Sequence, residues 1–103
     1  MYMLYFTVPE THIEVVKNAI VSVGAGSIGN YSQCVWQTLG EGQFLPLPGA
    51  NAFIGETNKL EKVAEYKVEI VCTQEQIKAA VAALKQTHPY ETPAYQEIGR
   101  AHV

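Results

Sequence analysis

Hydrophobic and polar residues alternate in two segments of the chain, which is the pattern of half-buried β-strands. The first segment, residues 2–8, places its even-numbered side chains on one face. The second, residues 63–73, directs Tyr66, Val68, Ile70 and Cys72 inward and leaves the charged residues Glu65, Lys67 and Glu69 on the outer face. Because a strand that alternates in this way covers a core on one side only, both segments predict a sheet with two unlike faces.

Two segments with helical spacing follow these strands. In the first, apolar residues recur every three to four positions. This helix is expected to contain Pro9 in its first turn and to end at Gly24-Ala25-Gly26, since glycine tolerates the left-handed geometry of a helix end. The second helix is expected to begin at a capping box formed by Thr73 and Gln76 and to end near Gln86.

Two further strands complete the predicted sheet. Most of residues 28–38 are interpreted as a strand, Gly40-Glu41-Gly42 as a tight turn, and residues 43–47 as an arm that pairs back in a hairpin. Residues 94–98 are expected to form the last strand, and residues 99–103 a frayed tail. The region between residues 48 and 62 is interpreted as a long ordered loop, which is often functional in a small domain.

The order of elements is therefore strand, helix, strand, strand, helix, strand. It predicts an α+β domain of ferredoxin-like β-α-β-β-α-β topology over residues 1–98, with a four-stranded antiparallel sheet, two helices on one face and an extra β-hairpin arm. The other face of this sheet would be bare and rich in aromatic and branched side chains. A homo-oligomer, either a dimer or a trimer, is therefore expected.

Length, charge and cysteine content narrow the function classes. The 103 residues allow one hydrophobic core, and the net charge of −3 with seven scattered Lys and Arg residues argues against nucleic-acid binding. The apolar stretches are shorter than the roughly 20 residues that span a bilayer. The N-terminus lacks a basic segment and a cleavage site, so a cytoplasmic protein with reduced Cys34 and Cys72 is expected.

The segment Gly24-Ala25-Gly26-Ser27-Ile28-Gly29 superficially matches a dinucleotide-binding fingerprint. However, it follows a helix and precedes a strand, whereas phosphate binding in that motif requires the reverse order. The glycines, including Gly26 and Gly29, are better explained by positive φ angles and close backbone packing. Backbone amides in this segment offer an alternative role in binding a small anion.

The segment His88-Pro89-Tyr90-Glu91 offers the most reactive side chains. His88 is a candidate ligand for a divalent metal and Glu91 a candidate second ligand, while a third would have to come from His12, Cys34 or a neighbouring subunit. The alternative is structural: the imidazole and the carboxylate satisfy backbone amides of the turn, and the two prolines of the segment direct the chain into the last strand.

A polar pocket is a further candidate site. Asn30, Tyr31 and Ser32 are predicted to line it, facing the loop of residues 48–58, in which Asn51 is either a ligand-binding residue or a turn former. Tyr90 is a candidate ligand-binding residue in the second loop. Nucleophilic catalysis is not indicated, because no serine or cysteine has an evident base beside it.

Several motifs occur together in a fixed order and carry a resemblance to a known family. They are Gly24-Ala25-Gly26-Ser27-Ile28-Gly29-Asn30-Tyr31-Ser32-Gln33-Cys34, Gly40-Glu41-Gly42-Gln43-Phe44, Gly49-Ala50-Asn51, Ile54-Gly55 and His88-Pro89-Tyr90-Glu91-Thr92-Pro93-Ala94-Tyr95. From about residue 2 to residue 98, the chain resembles the inserted domain of the Ngg-interacting-factor family, also labelled GTP cyclohydrolase type 2 homologues.

The resemblance implies a free-standing version of that inserted domain. Full-length members resemble a hexamer whose outer domain holds a dinuclear metal site with His, Asp and Glu ligands, and that domain has no counterpart in these residues. The inserted domain is itself similar to CutA and PII-like proteins, which are ferredoxin-like trimers that bind metals or small effectors. This second analogy concerns the fold, and fold alone does not define function.

The preferred hypothesis is a small ligand-binding or regulatory module that assembles into an oligomer and binds a small molecule, an anion or a divalent metal. One alternative is a metal-dependent hydrolase-type enzyme whose site is completed at an oligomer interface. The other is a structural partner subunit for a separate protein that supplies the metal domain.

Overall fold

The computed structural model describes residues 1–100 and 102, and its elements follow the predicted order. The strands are β1 (Tyr2–Pro9), β2 (Trp36–Phe44), β3 (Glu61–Cys72) and β4 (Tyr95–Ile98), and the helices are α1 (Ile13–Ser22) and α2 (Gln74–Thr87). The predicted α+β fold of ferredoxin-like topology is confirmed. The predicted tail of residues 99–103 lies partly outside the described residues.

The four strands form one antiparallel sheet in the order β2-β3-β1-β4. On the central pair, Tyr2 lies opposite Cys72 and Pro9 lies opposite Glu65, so the start of β1 meets the end of β3. β3 is twelve residues long and also pairs with β2 along the full length of that strand. The sheet therefore has two distant ends, and the loops divide between them.

The hydrophobic core lies between the two helices and one face of the sheet. β1 contributes Leu4, Phe6 and Val8, all of which are buried, and β3 contributes Val68, Ile70 and Cys72. The inward positions predicted from alternation are therefore confirmed, apart from the half-buried Tyr2 and Tyr66 at the margin. Burial raises the pKa of the Cys72 thiol to about 11, so this cysteine is an unreactive apolar residue.

Each helix buries one apolar stripe against this face. The stripe of α1 consists of Ile13, Val16 and Ile20, and that of α2 consists of Ile77, Ala80 and Leu84. The predicted capping box of α2 is confirmed: the Gln76 amide donates to Thr73 Oγ1 at 3.2 Å, and the Thr73 amide donates to Gln76 Oε1 at 3.1 Å. Neither helix is long and apolar enough to cross a bilayer in the part of the chain that the structure describes.

The predicted hairpin arm is wrong. β2 runs without interruption from Trp36 to Phe44, and Gly40 and Gly42 pair with β3 instead of forming a turn. The long β3 provides a partner for every residue of β2, and this pairing outweighs the local preference of two glycines for a turn. Residues 28–35, predicted as strand, are outside β2: residues 28–31 form a tight turn in which Ile28 and Tyr31 exchange backbone hydrogen bonds, and residues 32–35 have no regular structure.

The predicted start of α1 is also wrong. Pro9 is the last residue of β1, and α1 begins only at Ile13. β4 ends its pairing with β1 at Phe6, so Pro9 lies beyond the reach of that strand, and its missing N–H costs no ladder hydrogen bond there. The His12 amide donates to the Pro9 carbonyl at 2.9 Å, which makes a turn before the helix.

Candidate functional site

Two loops meet at one end of the helix-free face of the sheet. One loop, residues 45–60, connects β2 with β3, and the other, residues 88–94, connects α2 with β4. The Asn51 amide donates to Glu91 Oε1 at 3.2 Å and thereby links the loops. Beside this contact lies a cleft of about 380 Å³, whose base includes Thr7 of β1 and Gly42 of β2.

The walls of this cleft are mostly apolar. Seven lining residues are hydrophobic: Phe44, Pro46, Ala50, Ala52, Phe53, Ile54 and Ala94. The polar lining includes Glu65, Tyr90 and Glu91, and no lysine, arginine or histidine side chain contributes to it among the described residues. A concave apolar site with a few polar groups is the usual form of a small-molecule site.

Glu65 is the buried polar group of the cleft. It lies on β3 opposite Gly40 of β2 and Pro9 of β1, so neither neighbour presents a long side chain beside it. Its carboxylate extends over Gly42, where a Cβ atom would overlap Oε1. Only 9% of Glu65 is exposed, although the sequence pattern assigned it to a solvent-facing position. The sequence pattern therefore predicted the correct sheet face for Glu65, but it did not predict that two loops cover this residue.

Tyr90 holds the Glu65 carboxylate. Its phenol donates to Glu65 Oε2 at 2.6 Å, a short charge-assisted hydrogen bond. The ring also contacts Phe44 edge to face, with centroids 5.8 Å apart. Burial is the largest cause that raises the pKa of Tyr90, followed by the hydrogen bond to Glu65 and the charge of that carboxylate. Tyr90 is therefore a neutral hydrogen-bond donor at physiological pH.

His88 lies beneath Tyr90 and is 6% exposed. Its Nε2 is 2.7 Å from the carbonyl oxygen of Thr7, which can only accept, and its Nδ1 accepts the Tyr90 amide at 3.1 Å. These partners assign the neutral tautomer with the proton on Nε2. Burial is the main cause that lowers the pKa of His88, although the Thr7 carbonyl and Glu65 oppose the shift.

The metal hypothesis for His88 and Glu91 finds little support in this geometry. Both imidazole nitrogens of His88 already have partners, so a metal would have to displace the Tyr90 amide from Nδ1. The structural alternative agrees for His88, which accepts the Tyr90 amide of its own turn, whereas Glu91 accepts the amide of Asn51 in the other loop. Within residues 1–100 and 102, no group of three or more His, Cys, Asp or Glu side chains is arranged to hold a metal ion.

The predicted residues Gly26 to Ser32 lie at the opposite end of the sheet. The Gly26 amide donates to the Val71 carbonyl at 2.7 Å, and Val71 pairs with Met3, whereas Glu65 pairs with Pro9. Val71 is six positions along β3 from Glu65, which corresponds to about 20 Å. The predicted pocket that joins Asn30, Tyr31 and Ser32 to the loop of Asn51 is therefore wrong in its geometry.

Backbone hydrogen bonds hold the loop of residues 26–34 in place. The amides of Gly26, Ile28, Tyr31 and Cys34 all donate within the chain, so an anion would have to compete for these donors. The predicted positive φ angles are confirmed at Gly26 (83°) and Gly29 (54°). At Gly26, a Cβ atom would lie 2.8 Å from the Cys34 carbonyl oxygen, which accounts for the glycine by close packing. Tyr31 is largely exposed.

The structure thus gathers Asn51, His88, Tyr90 and Glu91 at one end and leaves Gly26, Gly29, Asn30, Tyr31 and Ser32 at the other. Sequence reasoning missed Glu65, Gly42, Phe44 and Phe53 as site residues. For Glu65 and Gly42 the sequence contains one indication. A Gly-x-Gly pair on one strand leaves space on a single sheet face for a long side chain from the next strand.

The sequence comparisons identify relatives that are several times longer than the matched region. The "GTP cyclohydrolase 1 type 2 homolog" of Halalkalibacterium halodurans is 46% identical over 95 residues, which cover 92% of this chain and 26% of that protein. The protein of the same name from Mycobacterium tuberculosis is 43% identical over 88 residues, or 85% of this chain and 23% of that protein. No protein-family model matches the chain.

The structural comparisons agree with the sequence comparisons. The Bacillus cereus protein related to NIF3 superposes with a TM-score of 0.79 at 34% identity and covers 94% of this chain, which spans 24% of that protein. CutA from Archaeoglobus fulgidus superposes over the whole chain with a TM-score of 0.68 at 19% identity, which supports the fold alone. The predicted resemblance is confirmed, and the chain spans about a quarter of the length of the curated relatives it matches.

Proposed function

Since nearly the whole chain is related to one part of the GTP cyclohydrolase 1 type 2 homologs, we propose that it acts as a small ligand-binding module that assembles with copies of itself. The observation that carries the ligand-binding role is the cleft of about 380 Å³ between residues 45–60 and residues 88–94. Its volume lies at the lower end of the range for small-molecule sites, and its walls are apolar around a buried carboxylate.

Hydrogen bonds at the base of the cleft hold its polar side chains in place, which favours a preformed site. The Tyr90 phenol fixes the Glu65 carboxylate, and His88 in turn accepts the Tyr90 amide while its other nitrogen donates to Thr7 of β1. A ligand would therefore meet groups that are already ordered, which reduces the entropic cost of binding.

A screen of small uncharged and charged aromatic compounds by ligand-observed NMR tests the ligand-binding role. We expect hits for the native protein that are lost in Ala52→Trp, since a large side chain at this lining position reduces the cleft volume. Ser32→Trp is the matched control, because it adds the same side chain at an exposed position at the other end of the sheet. Hits that bind equally well to Ala52→Trp would contradict the proposal.

Self-association is supported by a different feature, the outer edge of β2. This nine-residue strand is at the edge of the sheet and pairs only with β3 among the described elements. Trp36 is 67% exposed, and Leu39 on the same strand is also exposed. A long edge strand with exposed apolar side chains is prone to pair with another chain, so a second copy of this chain is the proposed partner.

The single tryptophan makes the association measurable, because Trp36 lies on this edge. We expect light scattering to detect a dimer or a trimer, and the emission of Trp36 to shift to longer wavelength as dilution separates the copies. Leu39→Lys places a charge on the same edge and should favour the monomer. A native protein that is monomeric at all concentrations would contradict the assembly role. The cytoplasmic location stays a prediction from the sequence.

A further inference from the structure

The Glu65 carboxylate is buried without a cationic partner. Among the described residues the ion pair is that of Lys17 with Glu14 on α1, and no lysine or arginine pairs with Glu65. The Tyr90 phenol satisfies Oε2, while Oε1 has no hydrogen-bond donor in the described part of the chain. Only 9% of the Glu65 residue is exposed, and no fully buried side-chain oxygen lacks a partner among the described residues, so the free Oε1 faces the open cleft. A charge in this confined position is stabilised when a counter-charge or further donors reach it.

A second carboxylate lines the same cleft. Glu91 accepts the Asn51 amide through Oε1, so its charge lies at the mouth of the cleft between the two loops. No cationic side chain lines the cleft in residues 1–100 and 102, so the local charge is negative. This arrangement opposes a carboxylate or phosphate ligand and favours a positively charged one.

The rest of the lining selects among cations. Phe44, Phe53 and Tyr90 contribute aromatic rings, which attract an organic cation and pack against an apolar body. A bare divalent metal requires four or more ligand atoms, commonly oxygens or nitrogens, and these walls offer mainly hydrocarbon. An ammonium or guanidinium group carries several N–H donors, which match the unused oxygen of Glu65.

We propose that the cleft binds a small organic cation, with an ammonium or guanidinium group at Glu65 and an apolar body against Phe44 and Phe53. This inference rests on the proposed ligand-binding role of the same cleft and adds the chemical class of the ligand. In this arrangement Tyr90 is a positioning residue, since it holds Oε2 and leaves Oε1 directed to the ligand.

Calorimetric titration at pH 7.5 with three compounds of similar shape tests the charge preference. The probes are 2-phenylethylamine, which is a cation at this pH, the uncharged 2-phenylethanol and the anion 3-phenylpropanoate. We expect the amine to bind at least about tenfold more tightly than the alcohol, since a hydrogen bond to a charged group is worth about 1.5–3 kcal/mol, and the anion to bind most weakly. Magnesium chloride alone is the metal probe and should give no saturable heat.

Two variants test whether Glu65 causes the preference for the amine. Glu65→Gln keeps the shape of the side chain and should remove the advantage of the amine over the alcohol. Gly42→Ala displaces the carboxylate by steric overlap and should have the same effect if Glu65→Gln does not fold. Gly40→Ala is the matched control, because a Cβ atom there lies 4.0 Å from the nearest backbone atom and leaves the carboxylate in place.

The outcomes separate the two proposals. If the alcohol and the amine bind equally and Ala52→Trp abolishes both, the cleft is a ligand site and the cation inference is wrong. Tighter binding of the anion, or saturable binding of magnesium that Glu65→Gln abolishes, would also overturn it. If no probe binds, the cation inference is wrong, while the broader ligand screen judges the ligand-binding role separately.

Discussion

The two ends of the sheet have similar loop sequences in one respect, since both contain glycines and polar residues, yet they differ in what the loops enclose. At the end near Met3, four amides of residues 26–34 donate to backbone carbonyls of the same turn or of β3, and the turn packs directly on the sheet. At the end near Thr7, two loops that are distant in sequence stand apart and leave a cleft. A glycine-rich turn is therefore an indication of close packing, whereas the candidate site results from long-range convergence.

The largest effect is expected at the closed end. Gly26→Ala should destabilise the fold by about 2–4 kcal/mol, because it adds a side chain at positive φ and forces a Cβ atom against the Cys34 backbone and Ile70. Gly29→Ala is the control, since φ is also positive there but no atom lies within 4 Å. It should cost only about 1–2 kcal/mol. Urea unfolding measures both, and equal losses would refute the packing argument.

A smaller effect is expected where the carboxylate covers Gly42. Gly42→Ala should cost about 1–3 kcal/mol, because the added methyl group pushes Glu65 away from Tyr90. Gly40→Ala lies two residues earlier on the same face of β2 and has open space, so its unfolding free energy should change by less than about 1 kcal/mol. If both alanines are tolerated equally, Glu65 is not held over Gly42 in solution.

Removal of the Tyr90 hydroxyl group tests whether its hydrogen bond to Glu65 stabilises the fold. Tyr90→Phe should cost about 1.5 kcal/mol at pH 7, because it removes the donor from a buried carboxylate. The pKa of Tyr90 is raised in the folded state, so the unfolded chain releases this proton first, at about pH 10. The stability of the native protein should therefore fall as the pH rises above about 10, and this part of the loss should be absent in Tyr90→Phe. Unfolding curves at pH 8 and 10.5 measure the difference, and an equal alkaline loss in both proteins would contradict it.

The smallest effect concerns His88. Burial lowers its pKa in the folded state, while the unfolded chain takes up the proton near pH 6.5. Stability should therefore fall as the pH drops below about 6.5, and by pH 5.5 this one group contributes at most about 1.4 kcal/mol to the loss. His88→Gln cannot titrate and can still donate to Thr7, so its stability should depend less on pH between 7.5 and 5.5. Glu65 and His12, which also influence His88, remain in both proteins. An unchanged pH dependence would show that His88 is not the group involved.

The parts of the fold that were predictable from sequence are those governed by local pattern. Alternation identified β1 and β3, and the capping box at Thr73 identified the start of α2. β2 was misassigned because its residues are mostly exposed and include two glycines, and only the partner strand β3 explains why they are extended. Local sequence carries little information about such pairing.

The candidate site was predicted only in part for the same reason. The segment of His88, Tyr90 and Glu91 was recognised as chemically distinctive. The structure places Asn51 beside this segment, since its amide donates to Glu91 Oε1. Glu65 was assigned to the outer face, but its burial depends on two loops outside its own strand, residues 45–60 and residues 88–94. The Gly26 to Ser32 segment was predicted to lie beside this site. The strand register that places it at the other end of the sheet is a property of the assembled sheet and not of the local sequence.

The most direct test of the difference between the two ends is a two-dimensional NMR titration of the native protein with 2-phenylethylamine, in which backbone amide shifts are followed. The largest shift changes should occur at Thr7, Gly42, Glu65 and Tyr90, with little change at residues 26–32. Changes centred on residues 26–32, with none around the cleft, would contradict the assignment of the binding site to the cleft.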